Sequence, residues 1–281
     1  MQFDLREALK LEQLEVNLFR GVAPDRESGR IFGGLVIAQS LLAAYATIEK
    51  RLCHSLHCYF IRPGDPAIPI VFEVDRARDG SSFTTRRVIA VQHGKQIFNL
   101  AASFQVDEQG FEHQAPMPPD EGAPESYPDL IDLRTNVDRL CEKPENLSFM
   151  SPIEVRYIAQ APENGRAPPR QRVWFRARHQ IGDDPALQQA VMAYASDFGL
   201  LGTSLRPHFE GWNPPELQPA SLDHAMWFHR PSDFSQWHLY DMDSPSASGA
   251  RGMNRGSIFS ADGRLVASAA QEGLIRWREV K

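Results

Sequence analysis

Cysteine is scarce in this chain, with three among 281 residues, and their spacing fits neither a zinc site nor a disulfide framework. A few cysteines without a disulfide pattern are typical of a protein in a reducing compartment. Basic residues are also fewer than acidic ones, so the net charge is −6, and the sequence has no local basic patch. Nucleic acid is therefore not an expected partner. The residues from Met1 to Lys10 are charged and lack an apolar stretch, so we expect a cytoplasmic protein.

Long apolar runs are absent with one exception. The segment from Ile31 to Ile48 has no charged residue and is close to the lower limit of about 18 residues for a membrane helix. Small and polar residues interrupt it, among them Gly33, Gly34 and Gln39. The pattern favours a buried helix of a soluble fold and predicts no membrane insertion.

The chain contains a repeat. Tyr59-Phe60-Ile61-Arg62-Pro63 recurs as Trp227-Phe228-His229-Arg230-Pro231, and the register continues with one extra residue past Gly94 and Gly263. A constant offset over a turn, a strand and a glycine turn indicates two copies of one unit. The alternative is that short strand-turn-strand segments look alike in unrelated places.

Each copy predicts one helix followed by long strands. The first has the apolar helix, and the second has a helix beginning at Asp184-Pro185, an N-cap followed by proline at the first helical position. Alternation predicts the strands 55–61, 70–78, 82–92 and 96–106, then 171–178, 221–229, 237–242, 252–260 and 264–276. This order is typical of a sheet wrapped around a helix.

A proline-rich region separates the copies. Ten of the 21 prolines lie between Pro116 and Pro169, which argues against regular structure there apart from a short helix at 129–141. We expect three parts: an N-terminal unit at 1–106, a linker at 107–150 and a C-terminal unit at 151–281.

The second copy differs from the first on an apolar strand face. Phe98, Leu100, Ala102 and Phe104 share the inward face of the last strand of the first copy, and Ala267, Ala269, Gln271 and Gly273 are their counterparts. Gln271 thus replaces an apolar residue. Because an unpaired buried amide costs about 1–3 kcal/mol, Gln271 should have polar partners. Its alternative role is to hold a neighbouring backbone group.

Asp197 and Ser221 are the candidate partners. Asp197 lies on the apolar side of the second helix, where partial burial raises a carboxyl pKa and makes a usable general base. Alternatively, Asp197 has only a structural role at the end of the helix, where it would stabilise Ser196 or the turn at Gly199. Ser221 begins a strand, as many serines do. The chain has no G-x-S-x-G motif, so a serine nucleophile is disfavoured.

Several motifs resemble those of the acyl-CoA thioesterase II family, the TesB-like enzymes with a double hotdog fold. They are Phe32-Gly33-Gly34, Phe60-Ile61-Arg62-Pro63-Gly64-Asp65, Arg78-Asp79-Gly80 with Ser82-Phe83, Phe111-Glu112-His113-Gln114, Tyr194-Ala195-Ser196-Asp197, Asp223-His224-Ala225-Met226-Trp227-Phe228-His229-Arg230-Pro231 and Gln271-Glu272-Gly273. The resemblance runs almost end to end. It implies an α+β fold of two tandem hotdog units, each an antiparallel sheet wrapped around a central helix.

The resemblance also implies an activity. An Asp, a Thr or Ser and a Gln bind the hydrolytic water in this family, and by motif these fall on Asp197, Ser221 and Gln271. Many relatives have threonine at the middle position, and serine frees that rotamer. We therefore expect hydrolysis of fatty acyl-CoA to fatty acid and CoA by Asp-activated water, without a metal or a cofactor.

Substrate contacts are expected from both copies. Gly33 and Gly34 open the first helix, where backbone N–H groups stabilise an oxyanion. His57 is a weaker general-base candidate. A histidine in the core with satisfied hydrogen bonds would equally explain its presence. We expect cations at the CoA phosphates, and the candidates are Arg86, Arg87, Arg251 and Arg255. The alternative is that these arginines are solvated or paired with acidic residues.

Two other functions remain open from the sequence. A hotdog enoyl-CoA hydratase would use an aspartate with His57 or His224. A non-catalytic acyl-CoA-binding protein would leave Asp197 and Gln271 with structural roles. We also expect a homo-oligomer, a dimer or a tetramer, because hotdog sheets expose long edges.

Overall fold

The computed structural model describes residues 4–23, 29–119, 122–130, 152–158, 166–209 and 216–278. The helices are α1 (Leu5–Ala8), α2 (Gly33–Tyr45) and α3 (Pro185–Ser196), with 3-10 turns at Pro124–Ser126 and Leu201–Ser204. The strands are β1 (Glu12–Glu15), β2 (Leu18–Gly21), β3 (Leu52–Phe60), β4 (Ile70–Asp79), β5 (Phe83–Gln92), β6 (Lys95–Gln105), β7 (Ile153–Ile158), β8 (Arg170–Ala177), β9 (Leu217–Ser221), β10 (Asp223–Phe228), β11 (His238–Ser248), β12 (Arg251–Ser260) and β13 (Leu265–Trp277).

The strands of the described residues form one antiparallel sheet. Its order is β1-β2-β4-β5-β6-β3-β10-β13-β12-β11-β8-β7, with β9 paired to β13 beside β10. The order β4-β5-β6-β3 in the first half is mirrored by β10-β13-β12-β11 in the second, as expected for a repeat. The halves join where β3 pairs with β10, with Leu56 opposite Met226.

The central helices lie against the inner face of this sheet. Helix α2 buries Leu35, Ile37 and Leu41 against β4, β5 and β6, as its uncharged sequence predicts. None of the helices in the described residues is long and apolar enough to cross a membrane.

Helix α3 begins as the sequence predicts. The Asp184 side chain caps it by accepting a hydrogen bond from the Ala186 backbone N–H at 3.0 Å, and Pro185 occupies its first turn. The helix ends at Ser196, so Asp197 is the C-cap residue. This position places the Asp197 side chain at the junction with α2.

The observed strands differ in part from the expected ones. The strand expected at 221–229 is two strands, because Leu222 interrupts it and the Asp223 carboxylate accepts the Glu272 backbone N–H at 2.7 Å. Strands β1, β2 and β7 were not expected from the sequence. The exposed residues of β1 lack an alternating pattern. Of the helix expected at 129–141, all but the first two residues lie outside the described residues, as does Cys141.

The two helices approach each other through a glycine. A Cβ atom at Gly34 would lie 2.3 Å from the Tyr194 carbonyl oxygen and 2.4 Å from Cε1 of Phe32. The backbone of α3 therefore blocks any side chain at Gly34. The junction of α2 and α3 requires glycine at this position.

We expect Gly34→Ala to lower the free energy of unfolding by about 1–3 kcal/mol, because the added methyl group must push two backbones apart. Urea titration would measure the change. Gly110→Ala is the matched control, since nothing lies within 4 Å of a Cβ atom built there. Equal stability of the two variants would contradict the close approach.

Candidate active site

The three side chains expected to act together are in contact. Gln271 projects from the inner face of β13, is 1% exposed, and donates from Nε2 to Asp197 Oδ1 at 2.6 Å and to Ser221 Oγ at 3.2 Å. One carboxamide thus links the end of α3 to the end of β9. Both N–H bonds of Gln271 are used, and each points to a group that can bind water.

The start of α2 approaches the same carboxylate. The Gly34 backbone N–H donates to Asp197, and a Cβ atom at Gly33 would lie 2.7 Å from Asp197 Oδ2 and 2.9 Å from Cε1 of Phe60. The positive end of the α2 dipole therefore faces the carboxylate. The absence of a side chain at Gly33 keeps the approach to Asp197 open.

Burial raises the pKa of Asp197, while the hydrogen bonds from Gln271 and from the Gly34 amide partly oppose this by stabilising the ionised form. The residue keeps a partly accessible surface. The Asp197 charge in turn adds to the burial that raises the pKa values of Cys58 and Tyr240. Asp197 is thus a proton acceptor held in a weakly solvated place.

A second hydrogen-bonded group, centred on Ser196, holds the end of α3 in place. The Ser196 hydroxyl donates to the Ala193 carbonyl at 2.9 Å, so the His224 Nε2–H, also 2.9 Å away, donates to Ser196 Oγ. Tyr240 donates to the Ser196 carbonyl at 2.9 Å. Desolvation lowers the pKa of His224 to about 4. His224 is therefore neutral near pH 7.

One polar residue beside the trio is not among the residues expected from the sequence. Asn254 on β12 is fully buried and stands opposite Gln271 in the register. The alternation of the strand indicates this residue, because it places Asn254 on the inward face together with Gly252 and Gly256. A buried amide between two glycines is unusual on such a face.

Two family models match the chain. One is described as acyl-CoA thioesterase and matches residues 146–274; the other is described as acyl-CoA thioesterase N-terminal domain and matches residues 22–105. Acyl-CoA thioesterase 2 of Haemophilus influenzae is 41% identical over 276 residues, which cover 96% of each chain. This chain belongs to the acyl-CoA thioesterase family. It is an acyl-CoA thioester hydrolase, and the hydratase and binding-protein alternatives are not favoured.

Solved structures agree with the fold. The acyl-CoA thioesterase II TesB2 of Mycobacterium marinum is 43% identical, with a TM-score of 0.82 over 98% of this chain and 99% of that one. A hot dog fold protein from Alicyclobacillus acidocaldarius, 19% identical, has a TM-score of 0.78 over 97% of this chain and 98% of that one. The expected double hotdog fold of this thioesterase is confirmed.

His57 lies away from the trio of this thioesterase. It is exposed on the outer face of β3, where its ring packs edge to face on Trp227 with centroids 5.2 Å apart. Neighbours on the strand, Leu56 and Cys58, point inward and are buried. The structure therefore does not bring His57 to Asp197.

The candidate phosphate-binding arginines are also not gathered at the trio. Arg86 is 2% exposed, and its guanidinium pairs with Asp79 at 2.6 Å and donates to Thr47 Oγ1 at 2.8 Å. These internal contacts account for its charge without a phosphate. Arg86 thus stabilises the first unit in this structure.

The other three arginines point outward by strand alternation. Arg87 lies 3.9 Å from Asp75, Arg251 pairs with Glu272 at 2.9 Å, and Arg255 pairs with Asp243. All three are exposed on the face of the sheet opposite the helices. The described residues contain no group of three or more potential metal ligands.

We expect Asp197→Asn to raise the melting temperature near pH 7 by about 2 °C. The raised pKa means that the folded state binds the Asp197 proton more tightly than the unfolded chain does, so ionisation costs stability above the folded pKa. The gain should shrink as the pH falls through the folded pKa, and it vanishes only below the ordinary aspartate pKa of about 3.9, where the wild-type carboxyl is protonated in both states. Thermal unfolding from pH 4 to pH 8 measures it, and a gain that grows on acidification would contradict the sign.

Proposed function

We propose that Asp197 is the general base that activates water for attack on the thioester carbonyl of a fatty acyl-CoA. Gln271 and Ser221 orient that water. The observation that carries the proposal is the Gln271 carboxamide, which donates to Asp197 at 2.6 Å and to Ser221 at 3.2 Å. It holds a base and a hydroxyl on either side of one amide group.

The steps follow from these groups. Asp197 takes a proton from water, and the oxygen bonds to the thioester carbon to give a tetrahedral oxyanion near the positive end of α2. The carbon–sulfur bond then breaks. The leaving thiolate, with a pKa of about 8.5 if it resembles cysteine, needs little help from an acid. Asp197 finally gives up its proton, to the thiolate or to solvent.

Ser221 has the wrong surroundings for a nucleophile. Within the described residues, its Oγ pairs with the Gln271 amide and not with a histidine. His224 uses Nε2 on Ser196. A direct attack by water therefore fits the geometry better than an acyl-enzyme does.

The acyl chain would lie along an aromatic cluster next to Asp197, formed by Phe32, Phe60, Tyr194 and Phe198. Phe32 stacks on Phe198 with centroids 4.9 Å apart and meets Tyr194 edge to face at 5.1 Å. Phe60 lies beside Gly33. Apolar rings next to a carboxylate are suited to an apolar chain whose reactive end is polar.

We propose further that the enzyme is a cytoplasmic homo-oligomer with units at 1–106 and 151–281 and a linker at 107–150. Strand β6 ends at Gln105 and β7 begins at Ile153, in line with these bounds. Tyr59 and Trp227 expose 61% and 37% of their surface on the outer face of the sheet, which favours burial in an assembly. Light scattering on the purified protein would determine the number of subunits.

Asp197→Asn should lower kcat for thiol release from acyl-CoA by about 10²–10⁴-fold, the usual contribution of a general base. The matched control is Asp183→Asn, an exposed carboxylate two residues before α3, which should leave kcat unchanged. An Asp197→Asn enzyme with most of its turnover would refute the proposed base.

Ser221→Ala should lower kcat by about tenfold, because one hydrogen bond to water is lost. Loss of a nucleophile would instead cost on the order of 10⁶-fold. Steady-state thiol release distinguishes the two magnitudes. A burst of thiol with acyl group retained on the wild-type protein would favour the covalent route.

A further inference from the structure

Asn254 lies on the inner face of β12 between two glycines of the same face. It is fully buried and stands directly opposite Gln271 in the antiparallel pairing of β12 with β13. Facing residues of such a pair have their Cβ atoms about 4.5–5.5 Å apart. The neighbouring Gly252 and Gly256 leave room for the side chains of Ser204 and Tyr240 on either side of the amide.

The amide of Asn254 is only half used. Its Nδ2 donates to the Gly252 carbonyl at 3.2 Å and to the Gln271 carbonyl at 3.4 Å, so the nitrogen end is held by backbone. Its Oδ1 is buried and accepts no hydrogen bond from the described residues. Buried side-chain oxygens nearly always accept a hydrogen bond, so a donor is expected at this oxygen.

Gln271 has an unpaired oxygen of the same kind. Its Nε2 is used by Asp197 and Ser221, but its Oε1 is buried and likewise has no donor within the described part of the chain. Two oxygens cannot satisfy each other, because both only accept. A water molecule carries two donors and is the smallest group that serves both.

The orientation of the Gln271 amide decides whether the site works. With Nε2 toward Asp197, the carboxylate receives a hydrogen bond; with the amide rotated by half a turn, Oε1 would face the carboxylate and repel it. A donor on the Oε1 side favours the first orientation. Asn254 is placed to hold such a donor.

We propose that Asn254 is a positioning residue for the thioesterase reaction: Asn254 Oδ1 and Gln271 Oε1 share a buried water that keeps the Gln271 amide nitrogen toward Asp197 and Ser221. The inference rests on the proposed function, since it acts through Gln271. Asn254 itself touches neither the substrate nor the hydrolytic water.

The test compares Asn254→Val with Asn254→Thr, two side chains of the same shape of which only threonine offers a hydroxyl to the water. Asn254→Val should lower kcat about tenfold with KM within about twofold, and Asn254→Thr should stay within about threefold of wild type, as expected for one hydrogen-bonded link. Melting temperatures of both report on folding. Should the valine variant not fold, Asn254→Ala against Asn254→Ser is read by the same rule.

A pH profile separates positioning from mere packing. In Asn254→Val the Gln271 oxygen can turn to Asp197, which raises the Asp197 pKa and moves the acidic limb of kcat/KM to higher pH. The groups that sense the Asp197 charge are Cys58 on β3 and Tyr240 on β11, and burial raises both pKa values. On β10, His224 has its pKa lowered to about 4. Asp223 on β10 also has a raised pKa, but its carboxylate accepts the Glu272 backbone N–H at 2.7 Å, a contact that Asn254→Val leaves in place. A limb that moves upward between wild type and Asn254→Val therefore reports on Asp197.

A double variant shows whether Asn254 acts through Gln271. Adding Asn254→Val to Gln271→Leu should cause no further loss of kcat, because the link is already broken. A further tenfold loss, an unmoved acidic limb, or equal behaviour of the valine and threonine variants would each overturn the inference. If Asp197→Asn and Gln271→Leu keep full turnover, the proposed function itself fails; if they are impaired while Asn254→Val matches wild type, only the role of Asn254 fails.

Discussion

The carboxyl group of Asp197, taken partly out of water, is the constraint on which the arrangement depends. A lone buried charge is costly, so its surroundings must replace the water that it loses. Gln271 from β13 and the Gly34 amide at the start of α2 do this. The C-terminal end of a helix is itself unfavourable for an anion. The start of the other helix offsets that unfavourable field, which is why residues from both units are needed at one site.

The repeat creates a second junction, where α2 ends and α3 begins, and it is filled. Tyr45 donates to Gln189, Gln189 donates to the Cys53 carbonyl at 2.9 Å, and the Cys53 backbone N–H donates to the Tyr45 oxygen at 2.7 Å. The Tyr45 ring also packs on Phe104. At this junction the side chains thus satisfy one another. One scaffold accordingly contains the junction that we propose as the reactive site and a second junction that is structural.

The two copies carry different side chains at matching positions of the sheet. Ala102 and Cys53 in the first unit correspond to Gln271 and Ser221 in the second. The Ala102 methyl group packs without a polar partner and the Cys53 thiol donates only to the nearby Ser55 carbonyl, whereas Gln271 and Ser221 pair with each other. A few different side chains on the inward face thus distinguish the polar site of the second unit from the core positions of the first. The strand break at Leu222, with Asp223 bound to the Glu272 amide, marks the same place in the backbone.

Local rules and motifs in the sequence determined much of this protein. Alternation predicted most strands, Asp184-Pro185 predicted the start of α3, and Gln271 was conspicuous because an amide replaced an apolar residue. The motifs indicated the family that the comparisons confirm. The tertiary structure alone decided which charged and polar groups meet. Arg86 proved to be an internal anchor and His57 an outward-facing residue, while Asn254 came to stand beside Gln271. Sequence spacing gives the face of a strand, but the partner across the sheet depends on register and on helix packing between residues far apart in the chain.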